Sequence, residues 1–182
     1  MGITATPNSQ GLSDADREAI SLYSIEFIEA ARYDEIDDLK LMFGHARLCE
    51  LIDFRTLVDS DSQTSPLMYA SANGCFDVVK FLIESVQVSV THANISGNTP
   101  LHWAALNGHT IVVDYLIING ADVFAKNSFG KTAFDEAFVR DKKECCERIA
   151  KEECRILKER GDDDAGMMEP TNVSTRIDRI DE

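Results

Sequence analysis

Residues 99–108, TPLHWAALNG, have a counterpart 34 residues upstream in SPLMYASANG at 65–74, and GKTAFDEA at 130–137 repeats GNTPLHWA at 97–104 after 33. Self-similarity at so short a period constrains a fold more than composition does. Each copy is a small unit that cannot bury its apolar face alone and gains stability only by stacking on neighbours. Within 97–129 the local signals are those of two helices and two turns. Thr99 is placed to cap a helix, and Pro100 follows at the first helical position, where its missing N–H is no loss. Leu101, Ala104 and Ala105 recur at helical spacing, the alanines leave room for a neighbouring backbone, and Asn107-Gly108 supplies a left-handed stop. Val112, Val113, Leu116 and Ile117 give a second helix its apolar face, closed by Asn119-Gly120.

The flanks extend the pattern less regularly. Ser13, with Asp16 three residues on, predicts a capped first helix with Ile20, Tyr23, Phe27 and Ala31 at helical spacing. Ala30-Ala31 and then Ile36, Leu39, Leu41 and Met42 read as the end of one helix and the start of the next. The segment 47–63 is longer than a connection between units needs. Its Leu48, Leu51, Ile52, Phe54, Leu57 and Val58 predict extra helical turns against the first unit. Residues 142–160 predict a charged capping helix with Ile149, Ile156 and Leu157 as its apolar positions. Residues 1–11 and the acidic tail 161–182 lack periodicity and are expected to be disordered.

A period near 33 that carries TPLH and NGAD resembles the ankyrin-repeat family. The resemblance implies an all-α ankyrin-repeat solenoid over 12–160. About four helix-turn-helix repeats are expected, at about 20–60, 61–96, 97–129 and 130–160, with degenerate terminal capping repeats. The second repeat has Met68 where the family has His and lacks the GAD turn. Within the family, the block 97–109, Val112-Val113, and NSFG at 127–130 followed by Glu136-Ala137 resemble the small acidic chaperones that escort a basic small-subunit ribosomal protein.

Charge narrows the partner. The formal net charge is −14, and residues 13–61 carry 13 acidic against 5 basic side chains, whereas 131–160 carry 8 against 9. An acidic first repeat and tail repel nucleic acid and anionic membrane and attract basic proteins. No apolar run spans a membrane, and no export signal is seen at the N-terminus. Met1-Gly2 with Thr6 formally matches the myristoylation pattern, but no polybasic patch accompanies it. The five cysteines are odd in number and are read as reduced thiols of a cytoplasmic and nuclear protein.

Chemistry is not in view. His102 lacks a nucleophile or carboxylate at useful spacing and is expected to serve structure. Cys145, Cys146 and Cys154 are too irregular for zinc, the 162–164 aspartates lack the ligand alternation of a calcium loop, and no phosphate-binding glycine motif occurs. The expectation is a monomeric binding protein without catalytic, cofactor or metal sites. By the family pattern its partner meets the inner helices and the tips of the connecting turns. That pattern points to Tyr33, Tyr69, Trp103, Leu106, Asn107, Phe129 and Arg140, with Thr64 among the exposed turn positions, beside the acidic Glu35, Asp37 and Asp38. Two functions fit: a chaperone that masks a basic ribosomal protein, or an adaptor in signalling or protein turnover.

Overall fold

The structure is a computed structural model that describes residues 13–160; Gly2, the N-terminal stretch and the acidic tail lie outside the described residues. Helix α1 (Asp14–Arg32) begins on the reciprocal cap expected for it. The Asp16 N–H donates to Ser13 Oγ and the Ser13 N–H to Asp16 Oδ2, each at 3.2 Å. Next come α2 (Ile36–Phe43) and α3 (Ala46–Leu51). Helix α4 (Pro66–Asn73) leads to α5 (Phe76–Phe81), which runs on into a π turn at Leu82–Val86. Then follow α6 (Pro100–Asn107), α7 (Thr110–Ile118), α8 (Ala133–Val139) and α9 (Lys143–Arg160). No strand occurs among the described residues.

The helices stack in two rows. Helices α1, α4, α6 and α8 pack in order as an inner row, and α2, α5, α7 and α9 as an outer one. The inner contacts are small: Ala30, Ala31, Ala70, Ala104, Ala105 and Ala137 are all buried. Larger groups fill the space between the rows, among them Leu67, Leu101, Val79, Val113, Leu116 and Ile149. The 3.6-residue pattern of each short helix therefore has a buried face only because a neighbour covers it.

The turns explain how degenerate repeats keep the same geometry. Nine described residues have positive φ, and they fall into three positions of the repeat. Asp34, Gly74, Gly108 and Asp141 (φ 64, 74, 84 and 54°) join inner to outer helix. Gln63, Gly97 and Gly130 (54, 71 and 74°) shape the loops that lead to the next inner helix, and Gln87 and Gly120 (62 and 89°) follow the outer helices. Only glycine adopts this region freely, and aspartate tolerates it better than most residues. At Gly97 space is limiting too, since a Cβ there would lie 2.9 Å from the backbone nitrogen of Ser128.

Residues 46–58 pack against the first helix pair, but the helical turns expected over 47–63 stop at Leu51, the end of α3, and Phe54 and Leu57 are buried from non-helical chain. Phe54 is buried with its ring centroid 4.5 Å from that of Phe27, and the contact continues through Phe43 (6.0 Å) to Phe81 (5.8 Å). The capping helix α9 differs in detail from expectation. Its buried face includes Cys145, Cys146 and Cys154 beside Ile149, while Ile156 and Leu157 are half-buried. None of the five cysteines, all among the described residues, is joined in a disulfide. Burial pushes the Cys146 thiol up to about 11, so it behaves as a small apolar side chain.

Candidate functional site

Three short Asx turns display the tips between inner helices. Asp59 Oδ1 accepts the N–H groups of Asp61 and Ser62 at 2.8 and 3.2 Å. Asn94 Oδ1 accepts those of Ser96 and Asn98, both at 3.0 Å, and Asn127 Oδ1 those of Phe129 and Lys131 at 3.0 and 3.1 Å. Adjacent loops are tied by one backbone bond each, Ile95 N–H to the Ser62 carbonyl (3.1 Å) and Ser128 N–H to the Ser96 carbonyl (3.0 Å). These bonds leave Ile95 63% and Phe129 79% exposed. Thr64, expected to be exposed, is buried instead, because its hydroxyl accepts from the Asn94 amide and from Ser62 Oγ.

The middle of the inner face carries Glu29, Tyr69, Trp103 and Glu136 at equivalent positions of α1, α4, α6 and α8. Tyr69 is held on both sides: its hydroxyl donates to Asp59 Oδ2 at 3.1 Å, and the Arg32 guanidinium lies 4.1 Å from its ring centroid. Burial works against the charge of Asp59. The two loop N–H groups and the Tyr69 hydroxyl outweigh it, holding the carboxyl below its ordinary range. Trp103 is half-buried, and its indole N–H finds no partner.

The far rim is formed by the last residues of the inner helices. Tyr33 and Arg140 are exposed there, Leu106 is half-buried, and Val139 is 63% exposed. Asn107 is committed to structure, since its amide donates to the Ala72 carbonyl at 2.6 Å, as the Asn73 amide does to the Arg32 carbonyl at 2.8 Å. The structure thus brings Tyr33, Tyr69, Trp103, Leu106 and Arg140 onto one face, with Phe129 at its opposite edge. Glu35, Asp37 and Asp38 are exposed at the start of α2, beyond Tyr33, where Asp37 and Asp38 also complement the helix dipole. Ile95 and Val139 join the apolar set: Val139 stands one repeat after Leu106, whereas Ile95 registers with Ser128, beside Phe129.

His102 is structural. Its Nδ1 accepts the Thr99 N–H at 3.2 Å, so Nε2 carries the proton and donates to the Lys131 carbonyl at 3.1 Å. One neutral ring therefore ties the start of α6 to the next loop. Burial lowers its pKa, against the opposing pull of the Lys131 carbonyl, Glu136 and Asp135. The unfolded chain binds this proton first as pH falls, so the contribution is complete above about pH 6.5 and is lost below it. The urea midpoint is expected to fall between pH 7 and pH 5, and to fall less in His102→Gln. Parallel curves for the two proteins would assign the loss to other groups.

Among the described residues no cluster of three or more His, Cys, Asp or Glu is arranged to hold a metal ion, and no helix is long and apolar enough to cross a membrane.

The model for ankyrin repeats (three copies) matches residues 27–127 and 67–160. A chain from the crystal structure of the yeast ribosomal protein Rps3 in complex with its chaperone Yar1 superposes with a TM-score of 0.63. It is 33% identical, over 74% of this chain and 91% of that one. Alpha-latrotoxin-Lh1a of Latrodectus hasselti is 30% identical over 122 residues, and palmitoyltransferase AKR1 of Lachancea kluyveri 40% over 117. These alignments take in 62% and 64% of this chain but only 9% and 15% of those relatives.

Proposed function

Because this chain belongs to the ankyrin-repeat family, we propose that it acts as a dedicated escort, masking a basic ribosomal protein during small-subunit assembly in the cytoplasm and nucleus. The fold is a protein–protein interaction module. The observation that carries the finer reading is the 33% identity over nearly the whole of a chain from the Rps3–Yar1 complex. Two features of this chain support it. The first repeat is strongly acidic, and the inner face holds Leu106, Phe129, Ile95 and Val139 against water, a set that calls for a cover in use.

Purified Rps3 is the direct probe. Phe129→Ala and Leu106→Ser are each expected to weaken its binding by about 1–3 kcal/mol, the ordinary range for truncating an interface anchor. Thermal unfolding should change little for Phe129→Ala, whose ring is 79% exposed. Charge reversal at Glu35, Asp37 and Asp38 should slow association and flatten its salt dependence. If the groove variants bind and protect Rps3 from aggregation as well as the parent does, the inner-face mechanism is wrong. If Rps3 does not bind at all, the adaptor reading in signalling or protein turnover becomes the better one.

A further inference from the structure

The first inner helix is much longer than its equivalents: α1 has 19 residues, where α4, α6 and α8 have 8, 8 and 7. Aligned on the left-handed turn residues Asp34, Gly74 and Gly108, Glu26 stands where Pro66 and Pro100 begin their helices. Residues 14–25 therefore have no counterpart in the repeats that follow. Glu18, Leu22, Ile25, Glu26, Glu29 and Tyr33 are exposed, and at 100° per residue they lie within one sector of roughly 100°. The opposite side of the helix is closed, with Ile20, Ser24, Phe27, Ile28 and Ala31 buried.

This open strip is apolar and acidic by turns. Leu22 is 54%, Ile25 38% and Tyr33 65% exposed. Glu18, Glu26 and Glu29 form no ion pair among the described residues, and the cation that follows Glu29, Arg32, lies over the Tyr69 ring instead. Glu26 and Glu29 are a like-charge pair at i, i+3, which weakens an isolated helix. Glu29 takes the place of Tyr69 and Trp103, and Tyr33 that of Asn73 and Asn107, so the strip continues the inner face. From residue 18 to residue 33 it runs about 22 Å.

We propose that this strip is a second docking surface, occupied by an elongated basic segment of the partner protein in which lysine or arginine alternates with aliphatic side chains. The inference rests on the reading of the chain as a binder of a basic protein. The occupant follows from complementarity: carboxylates spaced between aliphatic groups match cations spaced between aliphatic groups, and the same carboxylates repel nucleic acid and anionic lipid.

The test uses the full chain and a labelled, amidated peptide of roughly 16 residues, the length of the strip as a helix. It has leucine at every third or fourth position and lysine between. Leu22→Lys with Ile25→Lys is expected to lower peptide affinity about tenfold, the scale of a lost interface anchor. The milder Leu22→Ser with Ile25→Ser should lower it by less. Glu18→Gln with Glu26→Gln and Glu29→Gln should flatten the salt dependence, and Phe129→Ala should leave peptide binding unchanged. The inference is overturned if the α1 variants keep their helical circular dichroism and bind the peptide like the parent, or if a peptide with serine for leucine binds equally well. It is also overturned if the parent sediments as a dimer that Leu22→Lys with Ile25→Lys dissociates, since a second copy would then be the occupant. Rps3 separates this inference from the ribosomal reading. Peptide results as stated without Rps3 binding keep the strip and remove the ribosomal assignment. Rps3 binding that the α1 variants leave untouched does the reverse.

Discussion

Replacing Phe27 by alanine is expected to cost about 3–5 kcal/mol of folding stability, the range for emptying a fully buried aromatic site. Phe27 has no exposed surface, and its ring is the first in the series that runs through Phe54 and Phe43 to Phe81. Those rings belong to α1, the segment after α3, α2 and α5, so one substitution loosens four pieces of chain. Neighbours held by their own aromatic contacts cannot collapse far into the space, which keeps the loss near the upper end of the range. Urea unfolding measures it. A loss under about 1 kcal/mol, the level of a surface change, would mean that residues 46–58 do not pack on α1 as described.

Leu101→Ala is the second large effect, expected at about 2–5 kcal/mol. Leu101 is fully buried in α6, which packs on α4 on one side and α8 on the other. In a stacked fold each unit is stabilised chiefly by its two neighbours, so a hole in a central unit weakens both interfaces. The same urea experiment applies. A surface-like loss would break the register that places Leu67, Leu101 and Phe134 at one position of successive inner helices.

Where the two helices of a repeat carry their own signals, the sequence was sufficient. Thr99-Pro100, the alanine pair and Asn107-Gly108 set the bounds of α6, and the Ser13–Asp16 cap set the start of α1. The third repeat and the first helix of the second were therefore legible. What stayed hidden was non-local or chemically disguised. Asp34, Gln63, Gln87 and Asp141 do the work of glycines without looking like them. Cys145, Cys146 and Cys154 read only as reduced thiols too irregular for zinc, whereas their spacing on α9 makes them part of its packing face. The inner face was predicted as a set of positions, but not how each is held. The Arg32 stack on Tyr69 and the bond from Asn107 to the Ala72 carbonyl join residues 37 and 35 apart, which no local pattern encodes.

The left-handed turns have a mechanical consequence. Between residues 97 and 130 every such turn is a glycine, whereas Gln63 and Gln87 stand on either side of the α4–α5 pair. A side chain other than aspartate or asparagine in that conformation costs roughly 1–2 kcal/mol. The strain is thus placed at both ends of one interior unit rather than spread along the stack. That cost is carried by the packing of the α4–α5 unit, whose Leu67, Met68, Ala70, Val78 and Val79 are all fully buried.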